Sequence, residues 1–207
     1  MIELNAVQAD AVREIANIGA GHAATVLSQL SATPVMIDVP RVRLSPLTGV
    51  IPGLAGPDGS LVSVSMHMMG DLTGDALFVL DTPSARRLGG LLLKREPGAV
   101  DLDDAMVQSG LQEVGNIMVC AFFNAVSTCL EMLLMPSVPR LRMGDPETLR
   151  GMGVFQATDE PVLVIETAFV PKDDAARREG LGGVLLFLPD PPSLIVMLQA
   201  LPRALGR

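Results

Sequence analysis

Over residues 5 to 31 the chain alternates between an apolar and a polar side at helical spacing. Val12, Ile15, Gly19, Val26 and Leu30 fall on one side. Asp10, Glu14, Asn17 and Gly21 fall on the other. Positions i, i+4 and i+7 of a helix lie within an arc of about 60°, so Asp10, Glu14 and Asn17 form one stripe. The pattern predicts a helix ending before Pro34, a strand over Pro40 to Leu44, and a Pro/Gly-rich loop over 45 to 60. Strands at 61–69 and 75–80 follow around the turn at 70–74, then a short helix at 83–93 capped by Asp81 or Thr82.

The second half replays this order. It predicts a helix over 103–134 capped by Asp101 or Asp103, a strand near Pro139, a loop at 144–160, strands at 161–170 and 183–188, and a last helix at 192–204. Its long helix places Ser109, Glu113 and Asn116 on one side and Leu111, Val114, Met118, Ala125 and Cys129 on the other. The correspondence is close. Asp10-x3-Glu14-x2-Asn17, with Pro40 following 23 residues on, becomes Ser109-x3-Glu113-x2-Asn116 with Pro139, all 99 positions later. Val39 to Leu44 returns as Val138 to Met143, and Leu77 to Ser84 returns as Leu186 to Ser193 at an offset of 109. A fixed offset over so many positions marks two copies of one unit. The expected fold is α+β: two helix-strands-helix units sharing one mixed sheet with packed helices, related by a pseudo-two-fold axis. One domain spans 1–207, with halves of about 1–98 and 99–207.

Composition narrows the function. A net charge of -8 disfavours nucleic acid, whose binding depends on Lys and Arg. The Met1 to Asn5 start has neither a basic region nor an apolar run, so no secretory leader is expected. The apolar stretch Ile117 to Met135 holds Asn124, Ser127, Thr128 and Glu131, which predicts a buried helix and no membrane insertion. Cys120 and Cys129 on one helix lie too far apart for a disulfide, consistent with a reducing, cytoplasmic setting. No cluster has metal-ligand spacing, Gly19-x-Gly21 lies in a helix and not after a strand, and no hydrolytic triad is visible. His22 is expected on the apolar side as a structural histidine, His67 in a strand, and the charged run Lys172 to Glu179 as a solvated connection.

The polar stripe is therefore the candidate site. Asn is a poor residue for an exposed helix interior, yet it occurs twice beside the same Glu. The pattern (Asp or Ser)-x3-Glu-x2-Asn-x22-Pro resembles the signature of the CheC / CheX / FliY family of chemotaxis phosphatases, and most closely its CheC-type members. Glu14 to Gly21 is similar to that family's first motif helix and Glu113 to Ile117 to its second. The resemblance implies hydrolysis of the aspartyl phosphate of the response regulator CheY. It assigns Asn17 and Asn116 to holding the attacking water and Glu14 and Glu113 to docking against a regulator lysine. Asp10, Ser109 and Gly21 become partner-contact positions. It places the divalent metal, Mg2+, on the regulator, so that this chain carries no cofactor of its own. It names the deamidase CheD as a second partner, and a non-enzymatic adaptor for CheD or a regulator as the alternative function. Phe122 and Phe123 stand where the first helix has Ala23 and Ala24, and Cys120 where it has Gly21. The more rigid second site is expected to be the stronger.

Overall fold

The computed structural model describes residues 4–154, 161–171 and 182–204. Helix α1 runs Ala6–Ser31, and α4 runs Ala105–Leu130. Each has 26 residues, and their bounds lie 99 positions apart. Each ends on a non-glycine residue in the left-handed region, Ala32 (φ 53°) and Glu131 (φ 55°), again 99 apart. Asn5 and Gln8 form a reciprocal capping box at the start of α1, which satisfies two donors the helix leaves orphaned.

Seven strands form one sheet in which every described pairing is antiparallel. They are β1 (Val35–Pro46), β2 (Leu61–Gly70), β3 (Gly74–Asp81), β4 (Leu134–Pro136), β5 (Arg140–Gly144), β6 (Pro161–Pro171) and β7 (Gly182–Pro189). The order is β1-β6-β7-β3-β2-β4, with β5 also on β2. The sheet is thus antiparallel where a mixed one was expected. The reason is strand exchange. β1 pairs with β6 of the other half, and β5 pairs with β2, so neighbours meet head to tail and no parallel crossover is needed. At the centre Leu77 pairs with Leu186, its own counterpart at the 109 offset. That is the register two copies around a two-fold axis would adopt.

The two prolines of the sequence pattern interrupt the same strand position. β1 shifts register between Asp38 and Arg41, around Pro40, and Pro139 falls between β4 and β5. Proline has no N–H to give the ladder, so strands bulge or stop there. Ser137 bridges the second gap: its N–H donates to the His67 carbonyl, and its hydroxyl accepts from the His67 N–H.

α1, α3 (Thr82–Leu93), α4 and α6 (Pro191–Ala204) share the main core with the inner face of the sheet. Phe187 packs edge-on against Phe122 and Phe123, at 5.2 and 5.9 Å between ring centroids. The opposite face is covered by α2 (Leu47–Val50), the 3-10 turn Ile51–Leu54 and α5 (Pro146–Gly151). Short helices thus occupy the segments expected to be loops. Leu47, Val50, Ile51 and Leu149 are buried there, and that apolar contact outweighs the turn propensity of the surrounding Pro and Gly. Lys172 to Glu179 lies outside the described residues.

Three other expectations are corrected. His22, Val26 and Leu30 are exposed, because the apolar side of α1 that meets the core runs through Ala16, Ala20, Ala23 and Leu27. α4 is capped by Asp104, whose carboxylate accepts from the Met106 N–H at 2.8 Å. β1 begins at Val35, five residues before Pro40. α4 is also long and apolar enough to cross a membrane, but 56% of its most apolar window is buried inside the fold.

Two helix caps make stability sensitive to acid. The Arg95 guanidinium, 2.9 Å away, holds the Asp104 carboxyl below its usual 3.8. The Thr148 hydroxyl and backbone do the same for Asp145. Both groups favour ionisation in the folded state. Their contribution is present above pH 3.8 and is lost as pH falls through the depressed folded values. Asp104→Asn keeps a capping acceptor but loses the charge. It is expected to flatten the acid limb of a circular-dichroism stability curve below about pH 4. An unchanged acid limb would contradict this assignment.

Candidate functional site

The sequence placed two polar trios on helices, and both helices lie over the same sheet face. Asp10, Glu14, Asn17 and Gly21 are exposed along α1, while Ala11, Val12, Ile15, Ala16 and Gly19 beneath them are buried. Ser109 and Glu113 are exposed on α4, above buried Leu111, Val114 and Gly115. The trios are therefore carried by rigid, well-packed helices. Asn116 departs from expectation in being half-buried.

α1 and α4 touch closely at Gly19, where an added Cβ would meet Phe122 Cα at 3.2 Å and the Ala121 carbonyl oxygen at 3.3 Å. Nearer its start, α1 brings Glu14 close enough to Cys129 for its charge to help burial raise the thiol's pKa. Residue 19 against 121–122 and residue 14 against 129 mean that the helices run antiparallel. The two trios consequently sit toward opposite ends of the pair, as separate sites.

Gly115 lies one residue before Asn116 and fixes α4 on the sheet. A Cβ there would fall 2.4 Å from the Val64 Cβ on β2. Gly21 is the reverse case, with nothing within 4 Å of an added Cβ. Phe122 and Phe123 point into the core, so their bulk does not reach the exposed stripe.

The side chains differ between sites. In the first, Arg13 Nη1 lies 3.6 Å from Asp10 Oδ1, both well exposed; such a pair contributes at most about 1 kcal/mol. Asn17 has no side-chain hydrogen bond among the described residues. In the second, the Cys120 thiol donates to Asn116 Oδ1 at 3.3 Å. Burial, with the Glu113 charge adding to it, pushes the Cys120 thiol above its usual 9.0. It is therefore protonated, and a donor, near neutral pH.

Two positions escaped the sequence reading. Val7 and Met106, again 99 apart, are 50% and 62% exposed and open each stripe one turn before Asp10 and Ser109. Their spacing of i-3 from the trio was the available signal. Each gives its site an apolar edge beside the carboxylates. No group of three or more His, Cys, Asp or Glu that could hold a metal ion occurs among the described residues.

The chain is similar to known proteins in sequence and in fold. Residues 7–43 match the CheC-like family. The chain is 29% identical over 206 residues to the CheY-P phosphatase CheC of Bacillus subtilis (strain 168), covering 96% of this chain and 95% of that protein. Its fold matches FliY of Thermotoga maritima with a TM-score of 0.76 at 22% identity, over 99% of this chain and 100% of that one. It also matches a CheX–CheY–BeF3–Mg2+ complex from Borrelia burgdorferi with a TM-score of 0.54 at 18% identity, over 83% and 96% of the two chains. The chain is thus similar to members of the CheC / CheX / FliY family in sequence and in fold.

Proposed function

We propose that this protein is a phosphatase of phosphorylated CheY-type response regulators, acting through Asn17 and Asn116. The observation that carries the reading is the Glu-x2-Asn stripe, built twice on matched 26-residue helices, in a chain similar over 96% of its length to a CheY-P phosphatase. An aspartyl phosphate is an activated acyl phosphate, so little covalent help is needed. In the proposed reaction a water oxygen bonds to phosphorus as the acyl oxygen–phosphorus bond breaks. The aspartate leaves as its carboxylate, the product is inorganic phosphate, and the water's proton passes to phosphate or solvent. A carboxamide offers one donor and one acceptor, enough to hold that water in line. Mg2+ on the regulator would neutralise phosphoryl charge.

Glu14 and Glu113 dock the regulator through a basic side chain, with Asp10, Ser109 and Gly21 completing the contact. Exposed carboxylates of this kind act mainly on encounter and register. On this reading the protein works in the cytoplasm as one domain. Strand exchange supports the single domain, since β1 takes β6 of the other half as its partner and β2 takes β4 and β5 from it.

Charge reversal separates docking from chemistry. Glu14→Lys with Glu113→Lys is expected to raise KM for phosphorylated CheY about tenfold or more, because a like-charge contact costs several kcal/mol when close. The effect on kcat should be much smaller. Decay of phosphorylated CheY at several substrate concentrations measures both. An unchanged KM would remove the two glutamates from the interface.

A further inference from the structure

We infer that Cys120 is a positioning residue of the second site, holding the Asn116 carboxamide in the orientation that water alignment requires. The inference rests on the phosphatase reading above and adds a residue that the Glu-x2-Asn pattern does not contain. Cys120 and Asn116 are four residues apart and thus neighbours on one face of α4. The thiol donates to Oδ1 at 3.3 Å, which has two consequences. It identifies the oxygen end of an amide that could otherwise face either way, leaving Nδ2 and the second lone pair of Oδ1 for water. It also draws the side chain against the helix, so that Asn116 is half-buried whereas Asn17 is exposed.

The first site lacks this restraint because Gly21 occupies the corresponding position. Asn17 must give up side-chain freedom each time a regulator docks, whereas Asn116 has given it up on folding. The thiol is suited to the task, since its raised pKa keeps the proton on sulfur. It is half-buried beneath the stripe, so its role is to act through Asn116.

The test uses full-length protein with one site active at a time. In an Asn17→Ala background, Cys120→Ala is expected to lower kcat on phosphorylated CheY about fivefold, the worth of one modest hydrogen bond, with KM unchanged. Cys120→Ser, which keeps a donor, should recover part of the loss. In an Asn116→Ala background, Gly21→Cys should raise kcat at the first site by a similar factor, because nothing within 4 Å obstructs a side chain there. Mobility of the Asn116 side-chain amide, measured by nuclear magnetic resonance relaxation, should rise in Cys120→Ala. An unchanged kcat in Cys120→Ala, or a change confined to KM, would overturn the inference. Undiminished activity in Asn17→Ala with Asn116→Ala would overturn the phosphatase site itself, so the two failures are distinct.

Discussion

Replacing both asparagines, Asn17→Ala with Asn116→Ala, is expected to cut dephosphorylation of phosphorylated CheY by about two orders of magnitude or more, since water alignment is the main service proposed for the site. The fold should survive. Asn17 is exposed on a helix, where Ala is the better helix former by about half a kcal/mol. Asn116 loses the bond from Cys120, worth about 1 kcal/mol. These terms oppose one another, so the melting temperature should move by no more than about 4 °C. Of the single variants, Asn116→Ala should remove more activity than Asn17→Ala, because its side chain is the pre-oriented one. The reverse ranking would mean that Gly21, by letting a partner approach closely, matters more than rigidity.

Gly115→Ala is expected to be the most damaging single methyl addition near either site. The new Cβ would lie 2.4 Å from Val64 Cβ, whereas carbon atoms rest comfortably at about 3.5–4.0 Å. Helix α4 would have to lift from β2 and carry Asn116 with it. Overpacking of this kind costs about 3 kcal/mol, which exceeds the gain of about 1 kcal/mol from removing a helical glycine. Gly21→Ala is the control: with open space around it, the same change should stabilise by about 1 kcal/mol. Val64→Ala should not rescue Gly115→Ala, because the clashing Val64 Cβ remains, whereas Val64→Gly removes it. Urea midpoints decide the matter. Wild-type stability in Gly115→Ala would show that the helix–strand contact has slack.

Particular residues show how far the sequence could be read. The helices and the outward face of Asp10, Glu14 and Asn17 followed from local periodicity, which depends only on neighbours along the chain. What required the partner half was not legible. The same periodicity placed Val26, Leu30 and His22 inward, because the side of α1 that meets the core runs instead through Ala16, Ala20, Ala23 and Leu27, whose small alanines give little apolar signal. Gly19 and Gly115 each mark a close approach, to α4 and to Val64 respectively, which local periodicity does not reveal. The antiparallel sheet depends on strand exchange between residues more than 70 positions apart, beyond any local pattern. At the site, the Glu and Asn positions were visible by repetition. The tie between Cys120 and Asn116 was within reach of i+4 spacing, but a thiol opposite a glycine reads as divergence until the side chains are seen together.

The most direct test is the decay of phosphorylated CheY followed with and without this protein. The phosphatase account predicts that catalytic amounts of the wild-type chain shorten the phosphoryl lifetime, and that the folded Asn17→Ala, Asn116→Ala variant leaves it at the regulator's own rate. An unaltered lifetime with wild-type protein that nevertheless binds the regulator would contradict that account and leave an adaptor in its place.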